Sequence, residues 1–394
     1  MESGELLQAA RELQPDVVAL RRQLHAEPEL GLELPATRAK VLESLEGLHL
    51  EIELHEKTSG VVATLRGARP GRTILLRGDM DALPMPEDTD LPFKSTREGV
   101  MHACGHDAHT AMLAGAARLL SERRDTLAGN VVFMFQPGEE GHFGARFMIE
   151  EGLLDRDPAV DAAFAIHITP LLPPGTIGTR AGPLLASGDV FHAEIRGKGG
   201  HASMPHDCVD PIPVACETVQ ALQSFVTRRI NAFDPVVLTV TKINAGTTAN
   251  VIPETAEILG TMRSVSEAAR RRGLQGLEEV IRGVASAHGL DARVSVFKGY
   301  PVTVNDEAFA RFALETGEAL LGKGRAIEMP NPVMGAEDFS YVLEQVPGAM
   351  VFLGVRPPDT AQPAPCHSNR MLLDEEGMLY GTALYGAVAL RYLA

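Results

Sequence analysis

Hydrophobic positions recur every three to four residues in 3–25 and 36–46, the spacing of helices with one buried stripe. Continuous apolar runs follow. TLRG (64–67) closes one, TILLRGDMDALP (73–84) holds another that ends in acids, and NVVFMFQPGEEG (130–141) breaks at Pro137-Gly138. AAFAIHITP (162–170) is a further run, and AMLAGAARLL (111–120) reads as a helix with small residues for tight packing, just after MHACGHDAH (101–109). Fully apolar strands separated by helices predict an α/β fold with a mainly parallel sheet covered by helices on both faces.

From residue 187 the pattern changes. DVFHAEIRGKGGHASMPH (189–206), DPVVLTVTKINAG (234–246), ETAEILGTMRS (254–264) and ARVSVFKG (292–299) alternate like half-exposed antiparallel strands. Helical stretches at 210–229 and 266–289 punctuate them, so the order is β-α-β-β-α-β. That order predicts a smaller α+β, ferredoxin-like domain with two helices on one face of a sheet. After Pro301 the first texture resumes, with a helix near 306–321 and the strand AMVFLGV (349–355). The small domain therefore reads as an insertion, with segments 1–186, 187–299 and 300–394.

A chain of 394 residues exceeds one ordinary core, and 45% hydrophobic with 22% charged residues reads as soluble and globular. The net charge of −16 argues against nucleic acid as a partner. No run approaches the ~18 apolar residues of a membrane span, and the acidic, amphipathic start lacks the features of a signal peptide. The four cysteines, at 104, 208, 216 and 366, form no C-x-x-C pair and no disulfide framework. A cytoplasmic location is expected.

The chemistry gathers at strand ends. Asp79 and Asp81 follow TILLR, Glu139 and Glu140 follow VVFMFQ, and His167 closes AAFAI. In open α/β sheets, functional groups collect beyond the carboxyl ends of strands. MHACGHDAH and the turn-rich AQPAPCHSNR, with His367, can reach the same rim. Each residue alone has an ordinary reading: a core histidine, a solvated turn, a helix cap. Their convergence instead predicts a metal site, and its mixed Asp, Glu, His and Cys donors suit Zn, Mn, Co or Ni better than Mg or Ca. Of two adjacent carboxylates, one can bind metal while the other serves as general base, which is the equipment for amide hydrolysis.

The motifs DMDALP, MHACGHDAH, QPGEEG, IHITP, GKGGHAS, NVIPE, GTMR and GAEDFS occur in the order seen in the M20 metallopeptidases. Over roughly residues 15–392 the chain resembles their amidohydrolase branch: N-acyl-L-amino-acid amidohydrolases, hippurate hydrolases and auxin-conjugate hydrolases. The resemblance implies two divalent ions per subunit, held by Cys104, His106, Glu140, His167 and His367. It implies Glu139 as general base and acid, Asp81 as an orienting aspartate, and Asp79 where other branches carry a metal-binding histidine. It makes 187–299 a lid and dimerisation domain, from which His201 polarises the scissile carbonyl across a homodimer or higher homo-oligomer interface. Asn250 and Arg263 would hold the substrate carboxylate. His102 and His109 stand outside the implied ligand set, as supporting or exposed residues. One departure is Cys366, where the pattern has an aliphatic residue before the last histidine; His367 is taken as the ligand and Cys366 as a small pocket-lining residue.

The expected activity is hydrolysis of small-molecule N-acyl amino acids. The rivals are a metallo-carboxypeptidase or dipeptidase, an N-acetyl-diaminopimelate deacetylase, and a non-catalytic metal-binding or small-molecule-binding protein.

Overall fold

The structure, a computed structural model, describes residues 3–394. The chain forms two compact units. One comprises the chain through Leu184, Val304–Asn331 and Asp338–Ala394; the other comprises Leu185–Thr303 and Pro332–Glu337.

In the first unit, among the described residues, eight strands make one sheet. They are β1 (Glu51–Leu54), β2 (Val61–Arg66), β3 (Arg69–Asp79), β4 (Ala128–Gln136), β5 (Ala162–Thr169), β6 (Ile177–Thr179), β15 (Ala326–Glu328) and β16 (Gly348–Gly354), in the order β1-β2-β4-β3-β5-β16-β6-β15. The four central strands β4, β3, β5 and β16 pair in parallel. Antiparallel pairing appears toward the edges, at β1–β2, β2–β4 and β16–β6. Consecutive residues of β4 and β5 are buried, so both sheet faces are covered, which is why these strands read as unbroken apolar runs.

Helices α1 (Ser3–Ala26), α3 (His106–Ser121), α7 (Glu307–Leu321) and α9 (Glu376–Leu393) pack on one another, and α3, α7 and α9 also touch the sheet. The short α4 (Gly144–Glu150) packs against β4 and α8 (Ser340–Leu343), and α2 (Pro35–Ser44) lies against α1 and α3. The small residues of α3 permit the close approach. A Cβ on Gly115 would sit 2.6 Å from Val17 Cγ2 and 3.1 Å from Thr382 Cγ2, so any larger residue would drive α1 and α9 away. The expectation that MHACGHDAH precedes this helix needs correction, because α3 begins at His106. Gly105, in the left-handed region at φ +85°, makes the turn that the apolar pattern from 111 onward could not reveal.

Two short strands, β7 (Gly182–Leu185) and β14 (Thr303–Asn305), lie where the chain passes from one unit into the other and back. The second unit contains β8 (Asp189–Arg196), β9 (Gly200–His201), α5 (Pro211–Arg229), β10 (Val236–Ala245), β11 (Val251–Ile252), β12 (Thr255–Ser264), α6 (Glu267–Ala287) and β13 (Asp291–Lys298). Its antiparallel sheet runs β10-β12-β8-β13. Burial in β12 alternates residue by residue, with the inward set under α5 and α6. Asp210 and Ser266 cap these helices, accepting from Ile212 N at 2.9 Å and Ala269 N at 3.0 Å. Arg270 grips buried Asp189 with two hydrogen bonds, of 2.9 and 2.7 Å, and so ties α6 to β8.

Candidate metal centre

Strands β3, β4 and β5 end side by side, and their last residues carry the site. The parallel register pairs Asp79 with Gln136. Beyond β3, the carboxylate of buried Asp81 accepts two backbone hydrogen bonds, from Glu139 N to Oδ1 and from Glu140 N to Oδ2, each 2.9 Å. Asp81 thus fixes the loop that presents both glutamates. Gly144 tightens the same loop: its N–H bonds the Gly138 carbonyl at 3.0 Å, and a Cβ there would fall 1.6 Å from the Pro137 oxygen.

His106 projects from the first turn of α3 into this cluster of acids. Its Nε2 lies 3.5 Å from Asp79 Oδ2, 3.9 Å from Glu140 Oε1 and 4.0 Å from Glu139 Oε2, and its Nδ1 lies 3.5 Å from Asp81 Oδ1. Neither ring nitrogen makes a well-formed hydrogen bond. Burial works against a charged ring, but Asp79, Asp81 and Glu140 outweigh it and push the pKa up to about 10. So many carboxylates around one imidazole call for a cation.

His167 is prepared differently. Its Nδ1 donates to the Ile168 carbonyl at 2.6 Å, which leaves Nε2 as a lone-pair donor 3.3 Å from Cys104 Sγ. Burial keeps this ring neutral, with a pKa of about 4. His367 arrives from a loop at φ +66°, with its Nε2 3.1 Å from Glu140 Oε1. The neighbouring Cys366 thiol, burial, and the charges of Glu140 and Glu139 together push the pKa of the Cys104 thiol well above the usual thiol range. The donor atoms of Cys104, His106 and His167 lie within 4.8 Å of one another, as do those of Cys104, Glu140 and His367, and those of His106, Glu139 and Glu140. Orphaned imidazole nitrogens, a crowd of carboxylates and mixed S, N and O donors fit a borderline-soft divalent metal.

His109 joins Asp79 and His106 in another such triad, but both its nitrogens are in use. Nδ1 is 2.6 Å from Asp79 Oδ1, and Nε2 accepts the Ile168 N–H at 2.8 Å. That second contact fixes the tautomer with the proton on Nδ1, facing Asp79. His109 therefore braces the ends of β3 and β5, as a supporting residue. His102 is also buried, so neither histidine is exposed.

The sequence reading missed the layer beneath. Arg77, wholly buried in β3, donates to Gln136 Oε1 at 2.8 Å and pairs with Asp79 Oδ2 at 2.7 Å and Asp338 Oδ1 at 3.3 Å. Burial opposes ionisation of Asp79, yet Arg77, His106 and His109 hold its carboxyl well below the usual range. The signal was present as an arginine inside an apolar strand, where an unpaired charge would be too costly. Behind α3, Asp107 accepts from Arg21 Nε at 2.7 Å and lies 2.8 Å from His25 Nδ1, while His25 Nε2 lies 3.2 Å from Glu87.

His201, Asn250 and Arg263 belong to the second unit. His201 in β9 pairs with Val251 in β11, and the Asn250 carbonyl accepts the Ala202 N–H at 3.0 Å, so these two are neighbours. Ser203 N donates to His201 Nδ1 at 3.1 Å, which places the ring proton on exposed Nε2. Arg263 lies on β12 with its guanidinium over Gly188, where a Cβ would meet Nη1 at 2.7 Å.

The profile of peptidase family M20/M25/M40 matches residues 75–391. Thermostable carboxypeptidase 1 of Saccharolobus solfataricus is 37% identical, over 97% of this chain and 96% of its own. N-acyl-L-amino acid amidohydrolase of Geobacillus stearothermophilus is 41% identical, over 77% of this chain and 82% of its own. The crystal structure of a Bacillus subtilis dinuclear metal-binding peptidase of the M20 family superposes with a TM-score of 0.84 at 35% identity, covering 97% of this chain and 99% of that one.

Proposed function

The chain belongs to peptidase family M20/M25/M40, and from that premise we propose that it hydrolyses the amide bond of N-acyl amino acids with Glu139 as general base. The observation that carries this reading is the clamp of Asp81 on both glutamate amides, which presents two adjacent carboxylates to His106. Cys104, His106, Glu140, His167 and His367 would hold two divalent ions. Such ions, when bound, acidify water and polarise a carbonyl. Glu139 takes a proton from the attacking water onto a carboxylate oxygen and returns it to the leaving nitrogen. Asp81 keeps Glu139 aimed through the backbone. His201 Nε2–H donates to the developing oxyanion, supplied by a partner subunit in a homodimer formed through segment 187–299, and Arg263 and Asn250 bind the substrate carboxylate. Among the described residues no helix is long and apolar enough to cross a membrane. Four free thiols support a reducing, cytoplasmic setting.

A carboxypeptidase reading draws support from the Saccharolobus relative. Both reactions cleave an amide next to a free carboxylate, so one assay separates them. Acetyl-, benzoyl-, indole-acetyl- and long-chain acyl-amino acids are compared with free peptides, with Zn or Mn present and after chelation. Turnover of acyl amino acids that vanishes on chelation is expected. Preference for free peptides would select the carboxypeptidase, and turnover that survives full metal removal would refute the mechanism. Glu139→Gln should keep its metal and lose ~10²-fold or more in rate.

A further inference from the structure

Two thiols meet beside the candidate centre, and the ligand geometry uses one. Cys104 Sγ belongs to two of the donor triads, whereas Cys366 belongs to none. The His367 N–H donates to the Ala103 carbonyl at 2.8 Å, which lays the segment 366–367 alongside 103–104. Cys366 Sγ consequently sits 3.9 Å from the Cys104 carbonyl oxygen and 4.0 Å from that of Ile168. Both are free thiols, and the remaining cysteines, Cys208 and Cys216, belong to the other unit. The Cys366 sulfur thus lies against two backbone carbonyls, one of them that of Cys104, the other cysteine of this unit.

We infer that Cys104 and Cys366 close a reversible disulfide when the centre lacks metal, withdrawing the sulfur donor from the site. The inference rests on Cys104 being a metal ligand. The oxidant is a peroxide. One thiol sulfur attacks the O–O bond, giving a sulfenic acid and releasing an alcohol, or water from hydrogen peroxide. The second sulfur then attacks the sulfenic sulfur; the S–S bond forms, the S–O bond breaks and water leaves. In sum, two thiols and one peroxide give one disulfide, one alcohol or water, and one further water. The peroxide is reduced by the two electrons that the sulfurs lose. A dithiol reverses the reaction by exchange. Coordination of Cys104 would engage its sulfur and protect the pair, so the disulfide would mark metal-depleted protein and bar refilling until reduction.

The test uses the full chain in metal-loaded, chelator-stripped and stripped Cys366→Ser forms. Each is treated with hydrogen peroxide, digested without reductant and searched by mass spectrometry for a peptide joining positions 104 and 366. Zn uptake is then measured by elemental analysis before and after dithiothreitol. The stripped wild type should yield the linked peptide, bind Zn at least tenfold more weakly, and recover on reduction. Cys366→Ser should lose Zn binding without recovery, because Cys104 proceeds to higher acids. Stripped wild type with no 104–366 linkage, or a stripped Cys366→Ser that accumulates no more sulfinic or sulfonic acid at Cys104 than stripped wild type does, would overturn the inference. Linkage that forms as fast with metal as without it would leave the disulfide standing and remove Cys104 from the ligand set.

Discussion

Asp81 offers the sharpest test of how the site is held. Its carboxylate accepts the amides of Glu139 and Glu140, each at 2.9 Å, and it is 1% exposed. Hydrogen bonds to a buried charged acceptor are worth about 1.5–3 kcal/mol each, so Asp81→Ala should cost about 3–6 kcal/mol. Asp81→Asn is the finer probe. Its amide oxygen can still accept one N–H, but its NH₂ group must face the other, and two donors repel. The loop should then settle with one glutamate displaced, and a shift of about 1 Å at a reacting group costs on the order of 10²-fold in rate. The assay measures kcat with an acyl amino acid, bound metal by elemental analysis, and the urea midpoint by circular dichroism. The expected result for Asp81→Asn is a native fold, a lower midpoint and a rate reduced about 10²-fold. A near-wild-type rate at unchanged metal content would refute the claim that this clamp positions the base.

Replacing Cys104 or Glu140 should lower metal content from about two ions per chain, whereas Cys366→Ala should keep it; elemental analysis decides, and full occupancy in the first two would void the ligand assignment. Burial opposes ionisation of Glu87, but hydrogen bonds from His25, Thr89 and the Ser95 N–H hold its pKa at about 2, while Asp107 and Glu87 raise that of His25 against burial. The lowered carboxylate stabilises above its unfolded pKa of about 4.5 and the raised imidazole below its unfolded pKa of about 6.5. Glu87→Gln should therefore destabilise most between those pH values, with the gap in urea midpoint closing as pH falls toward 2; a constant gap would exclude the linkage. Mixed dimers of His201→Ala with Glu139→Gln should recover activity that neither has alone, because one site then holds both residues intact. Native mass spectrometry that finds mixed dimers without recovered activity would show that His201 does not act in trans.

Much of the fold was readable because burial leaves a pattern. β4 and β5 are covered on both faces and read as apolar runs, while β12 alternates because one of its faces is open. The three-residue strands β6 and β15 were invisible, being too short to show any period. The acids at the ends of β3 and β4 were legible because strand ends concentrate function. The division of labour among the histidines was not. His106, His109 and His167 are chemically identical in the sequence, and only their partners separate them: acids around both nitrogens of one, a backbone amide on the second, a backbone carbonyl on the third. The bracing by Arg77 depends on Asp338, which stands in the motif GAEDFS but far along the chain, so their pairing leaves no local signal.

The strand order has a consequence for how the protein is made. β16 lies between β5 and β6 in the sheet, yet ribosomes reach it only after the whole of Leu185–Thr303 has been synthesised. Until then the apolar edge of β5 has no parallel neighbour on that side, and an unpaired buried-type edge is the surface most prone to pair with another nascent chain. The intervening unit, contiguous apart from Pro332–Glu337, can assemble while β5 waits. Synthesis speed through that segment, and chaperone cover during it, should therefore govern yield more strongly than changes near either end of the chain.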